Sequence, residues 1–230
     1  MGNYFDLAYL LQTFPIILSY VHTTLLITAV ASIVGLALGS LIALTRIHRI
    51  AGFDACLTLY ISFFRGTPFL VQLFLAYFGL PELLQKLGFE GVRDIPTLFY
   101  VFLIFSLHFA AYSAEIVRSA ILAVDRGQME AAHSIGMGTV SAYRRIVLPQ
   151  AFTLALPAVC NQVISILKGT SLVFHVGIVD MMRKADFMGA NSQRSLELYI
   201  NVAVIYILLV LIISRLSDRL EKRAGWSVDA

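Results

Sequence analysis

The sequence predicts an all-helical membrane protein with five transmembrane helices, forming one transmembrane domain over residues 1–230. Three observations carry this. Of the 230 residues, 59% are hydrophobic and 13% charged, against roughly 45–50% apolar and about 25% charged in soluble domains, and mean hydropathy is +0.82. Thr23 to Leu44 contains no charge and, as a helix, is long enough to cross a hydrocarbon core of about 30 Å. Apolar runs recur at about 17–44, 57–80, 97–117, 151–173 and 199–214.

Five spans place the two ends on opposite sides, and the connecting segments choose the direction, because cytoplasmic loops collect Lys and Arg. With the N-terminus outside, ten basic residues fall inside: Arg46, Arg49, Arg118, Arg126, Arg144, Arg145, Arg215, Arg219, Lys222 and Arg223. Five fall outside: Lys86, Arg93, Arg183, Lys184 and Arg194. The expected orientation is therefore N-terminus outside and C-terminus inside. The first 45 residues hold no Lys or Arg, so no cleavable signal peptide is expected and the first span stays.

That first span carries Ala31, Gly35, Gly39 and Ala43 at a spacing of four, a small-residue ladder that lets another helix approach closely. In the second, Thr58, Ser62, Arg65 and Gln72 follow one helical face, and RGTPFLVQLF contains a break signal. Gly66 loosens the helix there, and Thr67 followed by Pro68 reads as the N-cap and first residue of a new segment. A half-helix N-terminus beside Arg65 suits a carboxylate; a proline kink without a ligand is the alternative. The third span adds His108, Tyr112 and Glu115, and the fourth carries Asn161, Ser165 and Lys168 on one face. Ionisable groups at membrane depth usually face a bundle interior or a water-filled cavity, so the three spans read as walls of a pathway for a polar solute. Ser, Thr and Asn also serve as hydrogen-bonding glue between membrane helices, and Glu115 has Arg118 one turn on as a partner.

Between the fourth and fifth spans, VGIVDMMRKADFM alternates apolar and charged residues at helical spacing, which fits an interfacial or re-entrant helix or, equally, an irregular loop. Cys56 and Cys160 lie in or beside apolar segments without ligand spacing, so neither a metal site nor a redox pair is expected. No basic patch interleaved with aromatics suggests nucleic acid. No internal repeat is present, so symmetry in a working particle must come from a second copy or a homologue.

Residues 126–149 stand apart as a mildly polar stretch between two apolar runs. Gln128 to Ile135 reads as a short helix, Gly136 to Thr139 as a turn, and Val140 to Val147 as a second helix stopped by Pro149. Helices this short are not stable alone in water, so the knuckle packs either on its own bundle or on a soluble partner.

The pattern Glu130-Ala131-Ala132, then Gly136, then Ile146 and Leu148-Pro149 resembles the cytoplasmic loop of the membrane subunits of bacterial ATP-binding-cassette importers. RGTPFLVQLF, YSAEIVRSAI and LKGTSL are similar to stretches in the polar amino-acid branch of that family, the histidine, glutamine and cystine permeases. The resemblance implies the type I importer-permease fold, location in the bacterial inner membrane, and docking of Glu130, Ala131, Ala132 and Gly136 on an ATPase subunit. It further implies two ATPase subunits that bind the ATP and Mg, a second permease copy or homologue, and an extracytoplasmic solute-binding protein. An amino-acid substrate and membrane lipid complete the expected partners. One departure stands out: where the family commonly has an acid after the lysine, this chain has Gly169 in KGTS.

The expected function is the transmembrane subunit of an ATP-driven importer of a polar amino acid or cystine, working by alternating access. Arg65, Thr67, Gln72, His108, Tyr112, Asn161, Ser165, Lys168 and Thr170 are the expected pathway residues. No catalytic residue and no cofactor of its own are expected, because the chain lacks a G-x-x-x-x-G-K-[ST] phosphate loop. The alternatives are a secondary transporter or channel working alone, and a membrane-embedded enzyme using His108, Tyr112 and Glu115.

Overall fold

A computed structural model describes residues 5–48 and 52–223, without the side chain of Arg93. Arg49, one of the ten basic residues counted above, lies outside the described residues.

The first apolar run is divided. Helix α1 (Leu7–Leu18) starts at Asp6, whose carboxylate accepts the Tyr9 N–H at 3.1 Å, and α2 (Val21–Ile47) begins after a break at Ser19 and Tyr20. The Ser19 hydroxyl donates back to Ile16 O at 2.7 Å, a local bond that competes with helix continuation. The expected span at 17–44 thus belongs mostly to α2, and α1 is an additional 12-residue helix. Along α2, Ala31, Gly35, Gly39 and Ala43 are all buried. They face α6 (Thr97–Ala123), the most closely packed partner of α2.

The second run bends by 115° between α3 (Phe53–Gly66) and the helical segment Phe69–Lys86. That segment comprises α4 (Phe69–Phe74), a π-helical turn at Leu75–Gly79, and α5 (Leu80–Lys86). The π turn precedes Leu80-Pro81, and Leu80 N–H bonds to Leu75 O. Proline supplies no N–H and crowds the preceding turn, and one residue of extra register accommodates it.

The same device recurs at Pro149 and corrects an expectation. Helices α7 (Arg126–Ser134) and α8 (Thr139–Ala142) form the knuckle, and a π turn at Tyr143–Val147 leads directly into α9 (Leu148–Gly169). Pro149 does not stop the helix, because Leu148 N–H reaches Tyr143 O across the wider turn. Continuous helical structure runs from Thr139 to Val176, ending in a tight 3₁₀ stretch at Thr170–Val176.

Next comes α10 (Met181–Ser192), capped by Asp180, so helix rather than loop occupies this part of the chain. The last helix, α11 (Ser195–Arg223), is long and apolar. Among the described residues four helices are long and apolar enough to cross a membrane, and the bent pair, counted as one span, raises the number to five. Phe64, Leu73, Phe105, Phe109 and Ile166 form the main core, while Ile17, Met181, Leu198 and Ile205 join α1 and α10 to α11. At one end Glu115 pairs with Arg118 at 2.9 Å and also with Arg46 of α2, which reaches Asp54 of α3 at 3.4 Å.

Candidate functional site

The break at Thr67-Pro68 gathers five of the expected pathway residues. Pro68 rather than Thr67 occupies the N-cap position of α4, and no side chain caps it. Thr67 is the C-cap of α3 instead, and its hydroxyl donates to Phe63 O at 2.7 Å. Proline cannot donate to the preceding turn, so carbonyls near the end of α3 need other partners. Gln72 supplies them. Its amide nitrogen lies 2.8 Å from Phe64 O, 3.0 Å from Thr67 O and 2.8 Å from Thr67 Oγ1.

The Gln72 amide oxygen is 2.8 Å from His108 Nδ1. The His108 ring packs on Phe69 at 4.6 Å and on Tyr112 at 4.8 Å between centroids. Arg65 completes the cluster, with its guanidinium carbon 5.6 Å from the Tyr112 ring centre, within cation–π range. Arg65 is exposed and forms no ion pair among the described residues. Glu115 does not join this group, being held by Arg46 and Arg118; the acid–base trio of the enzyme alternative is therefore not assembled.

The remaining pathway residues lie elsewhere. Asn161, Ser165 and Lys168 are exposed along one face of α9, and among the described residues no hydrogen bond or ring contact joins their side chains to the Arg65 cluster. Lys168 lines a groove of about 370 Å³ with Ser171, Met182, Tyr199 and Tyr206. Thr170 is fully buried, donates to Leu167 O at 2.7 Å and meets the Tyr206 hydroxyl at 3.1 Å. Gln72 is also fully buried with its amide occupied. Both side chains, expected to line the pathway, are buried and bonded within the chain here. A Cβ on Gly169 would stand 3.7 Å from the Phe69 ring, so the missing acid of KGTS falls beside the same cluster.

The knuckle answers its sequence-level alternatives on two faces. Ala132 is buried, and Met129, Tyr143 and Val147 pack with Ala120, Ile121, Val124 and Ala151. Ala132 is therefore covered within this chain. Glu130 and Ala131 are exposed, and Ile135 and Val140 are 78% and 83% exposed. The two apolar residues went unmarked in the sequence pattern, although their position on either side of the turn could have drawn attention to them. Gly136 has φ +78°, the left-handed conformation that glycine adopts without strain. Its N–H bonds His133 O at 2.9 Å and Met137 N–H bonds Ala132 O at 3.0 Å, the paired bonds of a Schellman termination.

The family described as binding-protein-dependent transport system inner membrane component matches residues 35–226. The chain belongs to this family. Among its relatives, "Probable amino-acid ABC transporter permease protein PatM" of Vibrio harveyi is 42% identical over 92% of each chain. The L-cystine transport system permease protein TcyL of Bacillus subtilis is 39% identical over 97% of this chain and 93% of its own. The crystal structure of an amino acid ABC transporter with histidines superposes with TM-score 0.85 and 35% identity, covering 97% of this chain and all of that one. This inner-membrane component thus has the type I importer-permease fold, and membership favours a subunit of an assembled ABC importer over a transporter or channel working alone.

Proposed function

We propose that this component forms, with a second copy or homologue, the pathway through which an ATP-driven importer moves a polar amino acid or cystine across the bacterial inner membrane. Two ATPase subunits bind and hydrolyse the ATP with Mg, and this chain carries no hydrolytic site. An extracytoplasmic binding protein delivers the solute from the side of the N-terminus. The observation that carries the reading is an exposed Arg65, without an ion pair among the described residues, beside Tyr112 at a 115° helix break. A guanidinium in this setting suits the α-carboxylate common to all amino acids. Asn161, Ser165 and Lys168 present a polar face on α9 that a lipid-facing helix would not keep. No acid contacts the Arg65 cluster among the described residues, which supports neutral or acidic amino acids, including cystine, over cationic ones.

The exposed Glu130, Ala131, Ile135 and Val140 form the surface on which an ATPase subunit docks. Closure of the ATPase pair then moves the knuckle as a rigid body. The test is reconstitution of the permease with its ATPase and binding protein in vesicles, with each amino acid and cystine loaded in turn. One or a few should stimulate ATP hydrolysis and uptake, and Arg65→Ala should cut uptake about tenfold or more while the complex still assembles. Unchanged uptake in Arg65→Ala removes Arg65 from the site, and uptake driven by an ion gradient without ATP overturns the whole reading.

A further inference from the structure

The neighbours of Gln72 fix which way round its amide sits. Phe64 O and Thr67 O, at 2.8 Å and 3.0 Å, are acceptors only. The amide nitrogen must face them, since the reverse placing would set oxygen against oxygen. Thr67 Oγ1 agrees, because its own proton goes to Phe63 O and it can only accept from Gln72. The Gln72 amide oxygen is then the atom 2.8 Å from His108 Nδ1. That oxygen has no proton to give, so Nδ1 carries the hydrogen. A neutral His108 is thereby left with a bare acceptor at Nε2.

The surroundings give that acceptor a use. His108 and Arg65 both pack on Tyr112, with the ring centre 4.8 Å from the imidazole and 5.6 Å from the guanidinium carbon. An amino acid has a carboxylate and an ammonium separated by a single carbon, and here a strong donor and an acceptor share one aromatic neighbour. We propose that Gln72 is a positioning residue that holds His108 in the Nδ1–H form, so that His108 Nε2 accepts from the α-ammonium of the amino acid whose carboxylate Arg65 holds. This rests on the assignment of Arg65 to the carboxylate.

Two measurements on the assembled transporter in lipid nanodiscs test it. Nitrogen NMR of labelled imidazole, with His108→Asn to assign the signal, should show His108 protonated at Nδ1. Gln72→Leu should yield a mixture of tautomers or the opposite one. A parent protein protonated at Nε2, or a Gln72→Leu spectrum identical to the parent, overturns the positioning role.

The second measurement compares binding of L-cystine with dithiodipropionate, the same diacid without amino groups. The parent should prefer cystine by about tenfold or more, the value of a charge-assisted hydrogen bond. His108→Asn keeps the donor to Gln72 but lacks an acceptor at the Nε2 position, and should bring that ratio close to one. His108→Gln can place an amide oxygen there and should keep most of it. A parent that does not separate the two compounds, or an undiminished preference in His108→Asn, overturns the assignment to His108. Arg65→Ala should weaken both compounds alike, because both carry the carboxylate. If it weakens neither while His108→Asn still abolishes the preference, the Arg65 reading fails and the His108 assignment stands.

Discussion

Gly39→Ala adds one methyl group at the tightest point between α2 and α6. The new Cβ would stand 2.0 Å from Ser113 Oγ, 2.7 Å from Ala110 O and 2.9 Å from Ala114 N. The hydroxyl can turn away, at the loss of its 3.1 Å bond to Gly35 O. The carbonyl and amide belong to the backbone of α6 and cannot. The helices must therefore move apart by several tenths of an ångström, and overpacking of this kind costs about 1–3 kcal/mol. Separation also loosens Ala31 and Ala43 on the same ladder, and between apolar helices in lipid, packing is the main attraction that can be lost.

The assay is the thermal midpoint of the purified protein in detergent, with two companions. Gly138→Ala makes the same chemical change where φ is −67° and no atom lies within 4 Å, and should stay within about 0.5 kcal/mol of the parent. Ser113→Ala removes the 2.0 Å contact, so the double variant should lose less than the sum of the singles. If Gly39→Ala melts with Gly138→Ala, α2 and α6 are not held in the close contact argued for here.

Two further outcomes concern the loops. Gly136 has φ +78° with open space around it, so Gly136→Ala should strain only the backbone, by about 1–2 kcal/mol; Gly136→Asn should strain it less, and Gly136→Asp adds a charge to the proposed docking surface. Transport per ATP and co-purification of the ATPase should fall in the Ala and Asp variants and stay near the parent in Asn, whereas equal coupling in all three removes the docking proposal. Asp180 caps α10 through Arg183 N–H at 2.9 Å while its other oxygen is buried with no hydrogen-bond partner among the described residues, and burial pushes its carboxyl above the usual range despite the opposing backbone N–H groups. A carboxyl raised on folding binds its proton more tightly in the folded state, so it contributes stability in acid that is lost as pH rises through the folded value. Asn keeps the cap without the charge, so Asp180→Asn should melt higher than the parent at neutral pH and lose that advantage in acid; a parent that melts higher at neutral pH contradicts the argument.

The spans, the break at Gly66-Thr67-Pro68 and the turn at Gly136 were legible because each depends on local chemistry: unbroken apolar runs, a missing N–H, a tolerated left-handed φ. What escaped needed a partner distant in sequence. Glu115 was paired with Arg118 three residues away, but its second cation, Arg46, arrives from another helix. Gln72 fell on a polar stripe and was read as solute-facing, because its real partners are carbonyls that exist as free acceptors only after the chain has bent. Periodicity places a residue on a face without saying what lies opposite. For the same reason Ala131 and Ala132 looked equivalent, although one is exposed and the other buried. Pro149 was misread for a different cause: a π turn absorbs a proline that an α-helix would not.

The connection from knuckle to break runs through one helix. α6 spans Thr97 to Ala123 with neither glycine nor proline, so nothing along it invites a hinge. Near one end its Ala120 and Ile121 pack beneath the knuckle, and toward the middle it carries Tyr112 and His108. From His108 to Ile121 is about 20 Å of helix. The glycine ladder fastens α2 to this rod, and Arg46 and Glu115 tie the pair together near one end. The bent pair meets α6 through side chains: the Tyr60 hydroxyl donates to Leu107 O at 2.6 Å, Gln72 bonds His108, and Phe69 packs on Phe105 and His108. In the proposed mechanism, a displacement of the knuckle would reach His108 and Tyr112 almost undiminished, whereas Arg65, carried on α3, need not follow. In that mechanism carboxylate and ammonium recognition would come apart at the seam between α3 and α6, where opening for release breaks the Tyr60 hydroxyl bond to Leu107 O and parts the side chains packed across it.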